Sequence, residues 1–335
     1  MPVTIKTIAR ATGLSLTTVS KYLNGGNVLP KNRVAIESAV EKYGYRVNYV
    51  AKNLKTGHTN TVGIVLPSFQ DVFHTGFFHY IEHYLRKQGY SVQVVGSGDT
   101  LETEKRSIRT LLSRQVDAVF LFPIYGAYDN AKEVVCSGIP LVIGDQYINE
   151  VDADYVLFDN RNVSCRAVSL FVEAGHEKIA VVSADKKYYT ANERFLGYLD
   201  ALKDGGISFC EEYAAFCSDF NIEQAKEAVR HLLDLPSPPT AFFATNFYMT
   251  VGMIAVFNER GLKIGEDVSA IGYDSLFVSD LVTPTLTIVD QPLEEAGRQA
   301  AELICRRIAD KKGAEEHETV VISSKLILGN SVKKI

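Results

Sequence analysis

The chain has 335 residues, 46% of them hydrophobic, so it is too long for one ordinary core and too apolar for global disorder. Its net charge of −5 argues against a nucleic-acid binder only until the chain is divided: through His58 nine basic residues face Glu37 and Glu41 alone, and the remainder carries twelve excess acidic residues. A basic head on an acidic body fits an anionic partner, and no apolar run reaches the ~20 residues of a bilayer span.

The opening residues lack the charged-then-apolar pattern of an export signal. The five cysteines (Cys136, Cys165, Cys210, Cys217 and Cys305) are odd in number, scattered and without metal-ligand spacing. The expectation is a cytoplasmic protein with reduced thiols, no bound metal and no cofactor.

Thr4 is placed to cap a short helix that puts Ile5, Ile8 and Ala9 on one face, and Gly13 allows a sharp turn after it. Ser15 is placed to cap a second helix, Leu16–Leu23, which buries Val19 and Leu23 and leaves Leu16, Thr17, Ser20 and Lys21 outward. After the 24–27 turn, Pro30 starts a third helix with Ile36, Val40 and Tyr43 at helical spacing, closed by Gly44. Three short helices with a tight first turn make a helix-turn-helix, whose second helix enters the DNA major groove.

From residue 61 onward, apolar runs alternate with amphipathic ones. Strands are predicted over 61–66, 91–95, 118–122, 141–144, 155–158, 179–183, 241–245 and 268–273. Helices fall over 75–87, 102–114, 192–204, 222–233 and 248–260. The alternation predicts an α/β body of doubly wound parallel sheets in two lobes, with a ligand cleft outside the carboxyl ends of the strands.

The run Val3-Thr4-Ile5, Ile8-Ala9, Gly13-Leu14-Ser15, Thr18-Val19-Ser20-Lys21 and Leu23-Asn24 resembles the headpiece of the lactose-repressor/galactose-repressor family of bacterial transcription regulators. The body carries further markers of that family: Gly138-Ile139-Pro140, Asp145, Asp159-Asn160, Gly175-His176, Glu193-Arg194, Gly272-Tyr273-Asp274 and Gln291-Pro292. The resemblance implies a headpiece over 1–46, a hinge helix and linker over 47–58, and a periplasmic-binding-protein-like body over 59–335. Its N-lobe takes about 60–158 and 289–320, and its C-lobe about 159–288 and 321–335.

It also implies roles. Leu16, Thr17 and Lys21 would read base edges, Leu16 at a thymine methyl and Lys21 at guanine. Thr4, Ser15, Thr18, Ser20 and Asn24 would complete the DNA-facing set of the headpiece through backbone positioning. In the hinge, Asn48, Ala51 and Lys52 would face DNA while Leu54 wedges into the minor groove. Lys21 stands where arginine is usual, and Val47 where proline is common.

For the cleft, Arg194 and Asp274 are the first choices to grip an effector, and their loss should end the ligand response with the fold kept. Asn246 offers donor and acceptor together, and Phe73 and Phe220 offer aromatic faces. Asp145 and Asp159 come next, although Asp159 can instead cap the following helix. Gln146 and Phe247 replace an arginine and an acidic residue frequent in relatives, which predicts a less charged pocket.

The partners expected are double-stranded DNA with a pseudo-palindromic operator, a small-molecule effector such as a sugar or related metabolite, and a second copy in a homodimer. Membrane is not among them. Two other classes fit less well: a global regulator governed by a phosphorylated carrier protein, and a solute-binding protein. His79-Tyr80-Ile81-Glu82-His83 has the order of a zinc-peptidase motif but would need a third ligand and an open cleft, and the resemblance implies instead that this helix lies at the dimer interface; no Gly-x-Ser-x-Gly or phosphate-loop pattern occurs. Enzyme activity is not expected.

Overall fold

The computed structural model describes residues 3–23, 25–45, 58–98, 100–274, 276–310 and 316–335. The chain divides into Met1–Thr59 and Asn60–Ile335. In the first unit, α1 (Ile5–Thr12), α2 (Leu16–Leu23) and α3 (Pro30–Tyr43) enclose a small core of Ile8, Ala9, Val19, Ile36 and Ala39. The Thr4 amide donates to the Thr7 hydroxyl at 3.2 Å, and Gly13 ends α1 at φ 67°, a left-handed backbone that glycine takes without penalty. The Thr18 amide donates to the Ser15 hydroxyl at 3.1 Å, which caps α2. Leu23 is only half-buried and Tyr43 is exposed. Part of the polar bracing comes from Tyr22 instead, whose hydroxyl donates to Glu37 at 2.5 Å beside Arg33.

The second unit holds two six-stranded sheets. The first contains β1 (Thr61–Leu66), β2 (Ser91–Gly96), β3 (Ala118–Leu121), β4 (Leu141–Gly144), β5 (Asp154–Phe158) and β11 (Thr319–Ile322), in the order β11-β5-β4-β3-β1-β2. The second contains β6 (Ile179–Ala184), β7 (Ala214–Cys217), β8 (Ala241–Ala244), β9 (Ser269–Tyr273), β10 (Thr287–Asp290) and β12 (Lys325–Ile327), in the order β12-β10-β9-β8-β6-β7. All pairings are parallel except β10 with β12, so the expectation of parallel sheets needs one antiparallel edge added.

The central strands are buried on both faces, as helix-covered parallel sheets require, and therefore read as continuous apolar runs. Helices α4 (Val72–Lys87), α5 (Leu101–Ser113), α6 (Tyr128–Cys136) and α12 (Leu293–Ala309) cover the first sheet. Helices α7 (Asn160–Glu173), α8 (Tyr189–Asp204), α9 (Ile222–Leu233), α10 (Phe247–Glu259) and α11 (Leu276–Leu281) serve the second. Helices α4 and α12 approach closely at Gly297, where an added Cβ would stand 2.4 Å from that of Tyr80.

The chain crosses between lobes three times: after Phe158, after Asp290 and after Ile322. The latter two crossings lie just beyond the expected 289 and 320, because β10 and β11 run to their own ends before the chain leaves each sheet. Asp154, the first residue of β5, forms a buried ion pair with Arg307 at 2.7 Å, and its carboxylate also accepts the Glu318 amide just before β11. Among the described residues no helix is long and apolar enough to cross a membrane.

Candidate functional site: an exposed recognition helix and an interlobe cleft

In the headpiece, Val19 turns inward and holds α2 to the core, which leaves Leu16, Thr17 and Lys21 exposed on the other side. Leu16 keeps 45% of its surface open, a large apolar side chain with no core of its own to join. Thr17, Thr18, Lys21 and residues 27–30 and 32 line a shallow groove of about 480 Å³ beside it. The Thr18 hydroxyl lies 2.9 Å from that of Ser15, so both take part in the helix cap as well as in the exposed face. Ser20 is half-buried. Asn24 and the four hinge positions, Asn48, Ala51, Lys52 and Leu54, lie outside the described residues.

In the body, a cleft of about 620 Å³ opens between the lobes at the carboxyl ends of the strands. Of the seven residues expected there, Phe73, Asp145, Arg194, Phe220, Asn246 and Asp274 line it. Asp159 does not. Its carboxylate accepts the Ser324 amide at 2.6 Å, which ties the first lobe crossing to the third, and it neither lines the cleft nor caps α7. Asn246 spends its carbonyl on the Met249 amide (3.0 Å) to cap α10, leaving its own amide for a ligand.

Arg194 is 5% exposed and reaches from α8 to both of the first two crossings. It donates to Asn160 Oδ1 (2.8 Å), the Thr245 carbonyl (2.7 Å) and Gln291 Oε1 (3.4 Å), and its guanidinium lies 3.9 Å over the Tyr273 ring. These partners are neutral, so its charge remains available to the cleft. Gln291 in turn donates to Asp274 at 2.7 Å. Arg194 is thus part of the hinge as much as of the pocket.

Further lining residues were not expected from the sequence, among them Asp71, His74, Lys187, Asp219, Tyr248 and Gln291. Asp71 caps α4 by accepting the His74 amide at 2.7 Å, and its other oxygen accepts the Tyr248 hydroxyl from the opposite lobe at 3.2 Å. The signal was present: an aspartate three residues before His74 marks a helix start at 72, not 75. The His74 ring nitrogen Nδ1 lies 2.7 Å from Asp71 Oδ1. Burial alone would lower the imidazole pKa, but Asp71 and the carboxylates behind it outweigh burial and raise it. The pocket is therefore not depleted of charge as Gln146 and Phe247 suggested.

Burial pushes Asp145 up and Asp274 up to about 6, both against the pull of Arg194. A carboxyl with a folded pKa near 6 and an ordinary value of 3.8 binds its proton more tightly when folded. Its contribution to stability then falls as pH rises through that window and stays lower above it. Asp274→Asn, which tolerates the left-handed backbone at this position and keeps the bond from Gln291, is expected to stabilise the unliganded body at neutral pH by about 1–2 kcal/mol. The gain should vanish below about pH 4, where both forms are neutral. Melting temperatures of the two proteins across pH check this, and parallel profiles would remove the claim.

Glu82 of the zinc-like sequence accepts from Arg86 at 3.0 Å, and among the described residues no three metal-ligating side chains converge.

Known proteins share both parts. Residues 4–48 match the bacterial regulatory proteins of the lacI family, and residues 168–332 match the periplasmic binding protein-like domain. The chain is 30% identical over 336 residues to the HTH-type transcriptional repressor PurR of Mannheimia succiniciproducens, covering 99% of each. Its fold is similar to that of a transcriptional regulator CelR–cellobiose complex (27% identity, TM-score 0.75, 98% and 99% of the two chains). It is also similar to the lac repressor dimer bound to operator and the anti-inducer ONPF (22%, TM-score 0.87, 99% and 100%). The chain belongs to the lacI family of bacterial regulatory proteins, joining a helix-turn-helix DNA-binding headpiece to a periplasmic-binding-protein-like body.

Proposed function

We propose that this protein is a transcriptional repressor that binds a pseudo-palindromic operator as a homodimer and is controlled by a small molecule held in the interlobe cleft. The observation that carries the reading is Arg194, which lines the cleft and at the same time bonds Asn160 and Gln291 at two lobe crossings. A ligand that draws on its free N–H groups shifts the balance at the hinge, and hence the relative rotation of the lobes. The names of the relatives favour repression, and cellobiose in one neighbour favours a carbohydrate or similarly polar effector.

In this reading Leu16, Thr17 and Lys21 choose the site. Thr4, Ser15, Thr18, Ser20 and Asn24 position the headpiece on phosphates, and Asn48, Ala51, Lys52 and Leu54 lock it at the operator centre. Effector binding changes the spacing of the two hinge segments in the dimer and so makes or melts the lock.

The direct test is binding to duplexes with inverted repeats against random duplexes at matched salt, with and without a panel of sugars, glycosides and nucleobases. Equal affinity for both duplexes overturns the reader. Leu54→Ala is expected to weaken operator binding by about 1–3 kcal/mol while leaving thermal shifts by cleft ligands intact. Unchanged operator affinity would remove the wedge.

A further inference from the structure

The two sheets have the same strand order, so β4 of the first occupies the place of β9 in the second. Each of these strands ends in a glycine or tyrosine followed at once by an aspartate: Gly144-Asp145 and Tyr273-Asp274. Both aspartates sit in the left-handed backbone region, at φ 66° and 62°, and both line the cleft from opposite lobes. Strain repeated at equivalent positions, with both side chains turned into one cavity, points to a ligand rather than to folding.

The charges there do not balance. Asp145 is 7% exposed; the Gln146 side chain hydrogen-bonds its carboxyl, but Oδ1 is buried without a partner. Asp274 receives one neutral N–H from Gln291. The nearby cations are Arg194, whose attraction both carboxylates share, and His74, which is held against a third carboxylate, Asp71. Lys187 also lines the cleft, its ammonium over the rings of Tyr125 and Tyr188 and 3.9 Å from Asp185, and it is offset by a fourth lining carboxylate, Asp219. An uncompensated buried carboxylate is costly, and a hydroxyl can satisfy its lone pair without cancelling its charge. Aromatic side chains Phe73, Phe220 and Tyr248 line the same cavity and offer π faces, which favour a ring and tolerate a cation.

We propose that the cleft effector is a ring-bearing amine, whose protonated nitrogen sits between Asp145 and Asp274. This rests on the reading of the cleft as the effector site. The ammonium donates to the free Oδ1 of Asp145 and to Asp274, and the ring lies against the aromatic wall. Two opposed carboxylates then select the protonated amine over its neutral isostere, because a neutral group at that point leaves one charge unmatched.

The test uses glucosamine against glucose and N-acetylglucosamine, matched rings in which the amine is absent or neutral. Calorimetric titration and melting of the full chain at neutral pH should show glucosamine binding at least about tenfold more tightly than either control. Asp145→Asn and Asp274→Asn should each erase that preference, and raising the pH until the amine loses its proton should erase it in the unaltered protein even if a variant fails to fold. Equal response to all three sugars, a preference for a neutral one, or no response to glucosamine overturns the amine assignment. The effector reading itself fails separately, only if no compound of the wider panel alters operator binding.

Discussion

Arg194→Met is expected to destabilise the body by about 2–4 kcal/mol and to abolish the response of operator binding to any cleft ligand. Methionine retains most of the aliphatic stem but removes the donor shared by Asn160 Oδ1, the Thr245 carbonyl and Gln291 Oε1, of which Asn160 Oδ1 keeps the Tyr273 hydroxyl. It also removes the cation from the Tyr273 face and the positive charge that steadies Asp145 and Asp274. Arg194→Lys should recover little, because a single ammonium cannot reach three acceptors set around a planar fork. Denaturant unfolding midpoints give the first quantity, and operator titration with and without ligand the second. Wild-type stability with an intact response would show that Arg194 is dispensable at the hinge. The expectation from sequence alone is that loss of this arginine ends the ligand response with the fold kept; its partners add a cost in stability to that expectation.

Lys21→Ala should reduce affinity for the specific operator by about 1–3 kcal/mol, roughly tenfold to more than a hundredfold, while affinity for random duplexes falls much less. The exposed face of α2 positions the ammonium, and the turn after α2 folds back on its stem. The Gly26 amide donates to the Lys21 carbonyl at 2.8 Å, and an added Cβ on Gly26 would stand 2.7 Å from Lys21 Cγ. A lysine braced in this way presents its charge with less entropy to lose than a free surface lysine. Lys21→Arg separates the two roles available to it. A base contact should tighten or change its sequence preference with the bidentate fork, whereas a phosphate contact should leave preference unchanged. Uniform loss across all sequences on Lys21→Ala, with a salt slope shallower by about one, would place Lys21 on the phosphates.

The headpiece was legible in the sequence because its information is local. Caps, the Gly13 turn, Pro30 and Gly44 each act within a few residues, and the outward face of α2 follows once Val19 is assigned inward. Most central strands were equally clear, since burial on both faces writes an uninterrupted apolar run; β10 was missed, because threonine and aspartate bracket only two apolar residues there. Strands β7, β11 and β12 were missed too, being edge segments of three or four residues with mixed exposure, whose pairing is supplied by partners up to 164 residues away.

Six of the seven residues expected in the cleft line it, because strand ends and the segments after them in such a fold converge on one place, so position along the chain already implied position in space. The division of labour among them was not implied. Whether Asp159 faces the cleft or the Ser324 amide depends on how three crossings pack together. Whether Arg194 is free or engaged depends on Asn160, Thr245 and Gln291, residues 34, 51 and 97 positions distant. Composition, charge asymmetry and local pattern thus determined that the chain is a DNA-reading head on a two-lobed body. The tertiary structure alone decided which charges meet in the cleft, because electrostatic pairing depends on through-space distance, which short-range sequence pattern does not encode.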